Sequence, residues 1–262
     1  MNLNAQKIYL LAALLLGIGI NVSAQKLPSE QKDGLYAPAK MKIDGKATEW
    51  GDKFSAHNNA VGLFYSMAND DDNLYLIMRT DQYSAVKKAF YSGITLLIKS
   101  HDKSSKSPDI KMTYPLVAMT DHTEIVLPLY DKQGNMDSIV TAVNGWIGKA
   151  AKKIAIAGFT DITEPDVSVY NDLGLKAAAM IDVNRAATFE LQLPLKYIRH
   201  LLGANLSFDY SITVNGLQMR PNTIIIGGSS IDNNGSHAPS AEPVNDMFTP
   251  TYLKASYTLV KK

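Results

Sequence analysis

The chain has 262 residues, with 26 basic and 25 acidic side chains and no cysteine. A charge balance this close to neutral gives no electrostatic reason for a nucleic-acid or anionic-membrane partner. Without thiols there are no disulfides, thiolate metal sites or cysteine nucleophiles, so the core alone has to hold the fold.

Residues 1–24 read as a secretory signal peptide: Lys7 precedes the apolar run 8–20, and Val22 and Ala24 supply small residues for cleavage. That run is too short to span a bilayer, which takes ~20 residues. Removing it takes Lys7 away and leaves 25 basic against 25 acidic residues. A periplasmic or secreted location follows. A lipid anchor is excluded because acylation after the signal requires a thiol. Residues 25–38 are polar, contain Pro28 and Pro38, and read as a linker or irregular arm. No composition break divides 39–262, which is expected to be a single β-sandwich domain, and no later segment is apolar enough for a transmembrane helix.

The recurring pattern is a short alternating run bounded by turn residues. Val61, Leu63, Tyr65 and Met67 share one strand face, and Leu74, Leu76 and Met78 share the next. Between them lies Asn69-Asp70-Asp71-Asp72-Asn73. A calcium loop alternates its oxygen ligands and ends on a distal carboxylate, whereas these acids are contiguous with no glycine following. A hairpin turn fits better, and calcium there would need ligands from elsewhere in the chain. Residues 84–93 place Val86, Ala89 and Phe90 on one helical stripe and close on Gly93. The segments 94–100 and 109–116 read as another hairpin, and 152–160, 174–182, 187–193, 206–216 and 252–260 as further strands. Residues 194–203 are expected to form a second short helix, with Pro194 in its first turn and Gly203 as its stop. Residues 227–250 read as a long loop. The expectation is an all-β, two-sheet antiparallel sandwich, immunoglobulin-like or jelly-roll-like, with one or two short connecting helices.

Three pieces in order carry a resemblance: Ile43-Asp44-Gly45 followed by Glu49-Trp50, the Asn/Asp turn before Leu74-Tyr75-Leu76, and Glu190 ahead of Leu193-Pro194-Leu195. Together they resemble the family 9 carbohydrate-binding modules and their DOMON-like relatives across 39–262. The resemblance implies an exported β-sandwich. Within that broad group some members bind sugars and some bind haem. The family 9 sugar site uses two tryptophans, and this chain has only Trp50 and Trp146. Independently of any ligand, Asp44-Gly45 suits a turn, Trp50 suits packing at one end of the sandwich, and Glu49 and Glu190 suit partnership with backbone or basic groups.

Catalytic signatures do not emerge. The five histidines lack a helical metal-ligand spacing, no nucleophile elbow is present, and no pair of carboxylates stands out, so no catalytic residue and no metal ligand is assigned. Haem would need a His or Met ligand pair, and none is distinguished, so no cofactor is expected. Trp146, in an expected glycine-flanked loop at 143–149, and Tyr130, beside another turn, are the candidate ligand-binding residues, with packing as the alternative for each. Tyr83 and Tyr170 border irregular segments and are weaker candidates. The function expected is a non-catalytic module at the cell envelope that binds a glycan or other polar ligand. The alternative is an envelope assembly or scaffold protein with a protein partner. A carbohydrate-active hydrolase or a haem-binding domain is less favoured.

Overall fold

Alternating side chains in this sequence bury one strand face and leave the other to be covered separately, and that governs the architecture. A computed structural model describes residues 26–118, 135–203, 205–217, 229–231, 237–239 and 244–262, the side chains of 229–245 excepted. Strands β1 (Ala56–Asn58), β2 (Leu63–Asn69) and β3 (Asn73–Thr80) are followed by helix α1 (Tyr83–Ser92). Then come β4 (Ile94–Ser100), β5 (Ile110–Tyr114), helix α2 (Met136–Ala150), β6 (Lys153–Ala157), β7 (Asp166–Ser168), β8 (Lys176–Ile181) and β9 (Ala187–Pro194). The chain continues through β10 (Ser207–Val214), β11 (Ser229–Ile231), β12 (His237–Pro239), the short α3 (Val244–Phe248) and β13 (Thr251–Thr258).

These strands form two antiparallel sheets, ordered β1-β2-β3-β9-β8 and β13-β10-β4-β5-β6-β7, with β11 and β12 paired apart. The protein is an all-β, two-sheet sandwich. Register explains the core: Tyr65 lies opposite Met78 and Met67 opposite Leu76, so the predicted stripes of β2 and β3 coincide on the inner face. Across the interface Ile94, Leu96 and Ile98 of β4 and Phe208, Tyr210 and Ile212 of β10 complete the same buried cluster. Burying a side chain of this size contributes ~1.5–3 kcal/mol, so the two inner faces dominate stability.

Helix α1 forms where the stripe predicted it. Val86, Ala89 and Phe90 are buried, and Gly93 closes the helix at φ 78°. Three expectations change, the first being that residues 227–250, read as a long loop, hold β11, β12 and α3 among their described residues. Pro194 ends strand β9 instead of starting a helix, and 195–201 form two 3-10 turns, Leu195–Tyr197 and Arg199–Leu201. Residues 143–149 belong to α2 and not to a loop. Val140, Val143 and Ile147 bury one stripe of that helix, and the Asn135 side chain caps it by accepting from the Asp137 and Ser138 N–H groups. Among the described residues, no helix is long and apolar enough to cross a membrane.

Candidate functional site

The outer face of the first sheet is covered by the N-terminal segment, and a buried carboxylate fastens the cover. Glu190 lies on β9, fully buried, and faces away from the main core. Its Oε2 accepts the N–H groups of Gly45 at 2.8 Å and Asp44 at 3.0 Å, and its Oε1 accepts the Trp50 indole N–H at 3.0 Å. Gly45 is required twice over: φ is 81°, and an added Cβ would lie 2.7 Å from the Ala179 backbone carbon on β8. Trp50 packs with Tyr75, Ala68, Ala37, Met41 and Ile43 in a small second cluster. It therefore packs as expected, but over the sheet and not at the sandwich end. Burial pushes Glu190 up and the three N–H donors pull it back, so its pKa comes to rest at about 7. The Ile-Asp-Gly, Glu-Trp and late Glu motifs, far apart in sequence, thus meet at one point. What they build there is a fastening of the N-terminal segment to the sheet.

The arm at 26–38 is irregular, as expected, yet tied into the sandwich. Beyond β1 the edge of β2 would be open, and there the Gln31 carboxamide takes the Met67 N–H at 2.7 Å and donates to the Met67 carbonyl at 2.8 Å. Asn69 does the same across to the other sheet: its side chain donates to the Val260 carbonyl and accepts the Val260 N–H, both at 2.9 Å. On the opposite side Asn144 of α2 pairs with both main-chain groups of Ile181, at 2.8 and 2.9 Å, on edge strand β8. Each amide supplies the donor and acceptor a neighbouring strand would have offered.

The acidic stretch folds as a hairpin turn. Asp70 Oδ1 accepts the N–H groups of Asp72 at 2.9 Å and Asn73 at 2.6 Å, and Oδ2 accepts the Tyr75 hydroxyl at 2.7 Å. Among the described residues no three carboxylate or imidazole side chains gather as a metal group would require.

Beside this turn lies a cleft of about 600 Å³, at the sandwich end where β2–β3, the 3-10 turns and the residues after β13 converge. Its floor is aliphatic, formed by Leu195, Leu202, Leu206, Leu259 and Val260. Its rim carries Asp70, Asp71, Arg199, Lys261 and Lys262. Leu206 sits at φ 54°, a left-handed conformation that costs a branched residue about 1–2 kcal/mol. It is pinned by donating to the Gly203 carbonyl at 2.9 Å and accepting the Leu259 N–H at 3.0 Å. Sequence reading missed this site because its residues come from three separated segments. The signal available was the pair Leu195 and Leu202 flanking exposed Arg199.

A smaller concavity, about 210 Å³, lies on the outer face of the second sheet between Lys99, Asp209 and Lys254. Burial raises Asp209, but hydrogen bonds from Ser256 at 2.6 Å and His101 at 2.7 Å outweigh it and hold the carboxyl below its ordinary value. That acid is already committed.

Of the predicted ligand residues, Trp146 lies on α2, 39 % exposed, with the Lys149 ammonium 5.2 Å from its ring centroid. Tyr130 lies outside the described residues. Tyr170 is 76 % exposed, whereas Tyr83 packs partly against the core. Among the described residues that line the cleft there is no Trp146, Tyr170 or Tyr83. Comparison of the chain with protein-family models and with curated proteins finds no match.

Proposed function

We propose that the protein is an exported, non-catalytic binding module of the cell envelope that takes a polar ligand in the cleft at the end of the sandwich. One observation carries the reading: a cavity of about 600 Å³ with an aliphatic floor and a charged rim. Small-molecule sites have this form, with apolar walls giving affinity and a few polar groups fixing orientation, at volumes of roughly 300–1,000 Å³. The leader-like 1–24 and the resemblance of the Ile43-Asp44-Gly45, Asn/Asp-turn and Glu190 motifs support the envelope setting. The test is calorimetric titration of the protein against polar and amphiphilic ligands, alone and as Leu202→Trp, which fills the cleft. Loss of binding in that variant with unchanged melting supports the reading. Binding that survives intact refutes the location.

A second reading, glycan binding, is favoured by Trp146. An exposed indole with a cation at its face presents one flat platform beside a hydrogen-bond donor, the form on which a sugar ring stacks. Affinity-gel electrophoresis over polysaccharides tests it. Retardation abolished by Trp146→Ala supports the reading, and unretarded migration on every gel refutes it.

A further inference from the structure

We infer that the end cleft takes a single-chain amphiphile with an anionic head, its alkyl chain on the leucine floor and its carboxylate or phosphate against Arg199 and Lys261. The inference rests on the cleft being the ligand site and adds the chemistry of the ligand. Two independent features point the same way. The first is the floor: Leu202, Leu206 and Leu259 are aliphatic, and among the described residues that line the cleft there is no aromatic ring on which a sugar could stack. Aliphatic surface that stays partly wet is stabilised most simply by covering it with an alkyl chain.

The second is the disposition of charge at the rim. Both oxygens of Asp70 are occupied by the turn, through the N–H groups of Asp72 and Asn73 and the Tyr75 hydroxyl. Asp71 lies beside the Tyr36 hydroxyl. Arg199 and Lys261, by contrast, take part in none of the ion pairs among the described residues, which join Lys32 to Glu30, Arg79 to Asp182, His101 to Asp209 and Lys153 to Asp166. Asp70 and Asp71 are engaged within the protein, and Arg199 and Lys261 are exposed. The three basic side chains at the cleft outnumber its two acidic ones, so the side chains of the described rim carry a small positive excess. A guanidinium presents a planar fork that matches carboxylate or phosphate, and an adjacent ammonium adds a charge-assisted hydrogen bond.

Calorimetry with three probes tests the inference: decyl phosphate and decyl maltoside, each below its critical micelle concentration, and inorganic phosphate. Decyl phosphate is expected to bind saturably, decyl maltoside at least tenfold more weakly, and inorganic phosphate without detectable heat. The double variant R199Q/K261Q is expected to weaken decyl phosphate about tenfold, in line with two charge-assisted contacts at exposed positions, and to leave decyl maltoside unchanged. Equal affinity for both amphiphiles, or an unaffected double variant, overturns the anionic head while leaving the cleft as a ligand site. Phosphate binding as tightly as its decyl ester overturns the alkyl half. Failure of both amphiphiles to bind overturns the amphiphile assignment and leaves the cleft to a ligand of other chemistry, which the Leu202→Trp titrations test separately.

Discussion

Replacing Glu190 by glutamine removes a titrating group from beneath the N-terminal cover while nearly preserving its shape. Glutamine keeps one oxygen, enough for the Asp44 and Gly45 N–H groups, and turns an NH2 toward the Trp50 indole N–H. One partly buried donor then lacks an acceptor, which costs roughly 1 kcal/mol. Against this stands the pH dependence of the natural residue. The folded protein holds the Glu190 proton until about pH 7, whereas the ordinary value is 4.5. Below pH 4.5 both states are protonated and the full stabilising contribution is present. As pH rises through 7 the folded state must ionise a buried acid and the contribution is lost. Integrating the proton difference from pH 5 to pH 8 gives a loss of about 2.5 kcal/mol. Glu190→Gln is therefore expected to be less stable than the parent at pH 5 by about 1 kcal/mol and more stable at pH 8 by about 1–2 kcal/mol. Urea unfolding followed by tryptophan fluorescence at both pH values measures the crossing. Other titrating groups are common to both proteins and cancel in the difference. Parallel stabilities at the two pH values refute the burial argument. A parent that gains on the variant as pH rises shows that the three N–H donors outweigh burial.

Asn69→Ala removes an amide that is 2 % exposed and unpairs both main-chain groups of Val260, so a loss of about 2–3 kcal/mol is expected in denaturant melts. Gly45→Ala combines a positive φ with a Cβ 2.7 Å from the β8 backbone; a cost of at least 2 kcal/mol is expected, with increased proteolysis within 44–50. Trp146→Ala is expected to change stability by less than about 1 kcal/mol, because the ring is 39 % exposed; a larger change in thermal melting assigns Trp146 to packing instead of ligand contact. In Leu206→Gly, relief of the φ 54° strain offsets the lost side chain, so stability is expected within about 1 kcal/mol of the parent while affinity for decyl phosphate falls.

The hairpin at 63–80 was legible because two apolar, strand-favouring runs flank residues that have turn chemistry to offer. Helix α1 was legible from one stripe and one glycine. Helix α2 was harder, since Thr141, Asn144, Gly145 and Gly148 all weaken the helical signal. Val140, Val143 and Ile147, with Asn135 as cap, were the pattern that outweighed them. Pro194 was ambiguous in a different way: its fixed φ suits a helix start and a strand end equally, and pairing with Asn73 of β3 decides for the strand. The role of Glu190 as a partner of backbone groups was readable from its motif, but the identity of those groups, more than 140 residues earlier in the chain, was not. The cleft lay beyond any local pattern, because only tertiary convergence brings Leu202, Leu206 and Leu259 together.

The three amides that pair with Met67, Val260 and Ile181 also set a chemical clock. Amide side chains hydrolyse slowly to carboxylates, and asparagine is among the thermolabile residues. At Gln31, Asn69 or Asn144 that reaction replaces a donor with a second acceptor, and the new oxygen faces a main-chain carbonyl across the former hydrogen bond. Attraction turns to repulsion at a sheet margin, with no change in the core. Because neutral amides carry no charge, these margins are indifferent to salt and acidity while fresh. Age, more than ionic surroundings, is what loosens them, and mass increments at Asn144, which precedes Gly145, would record it.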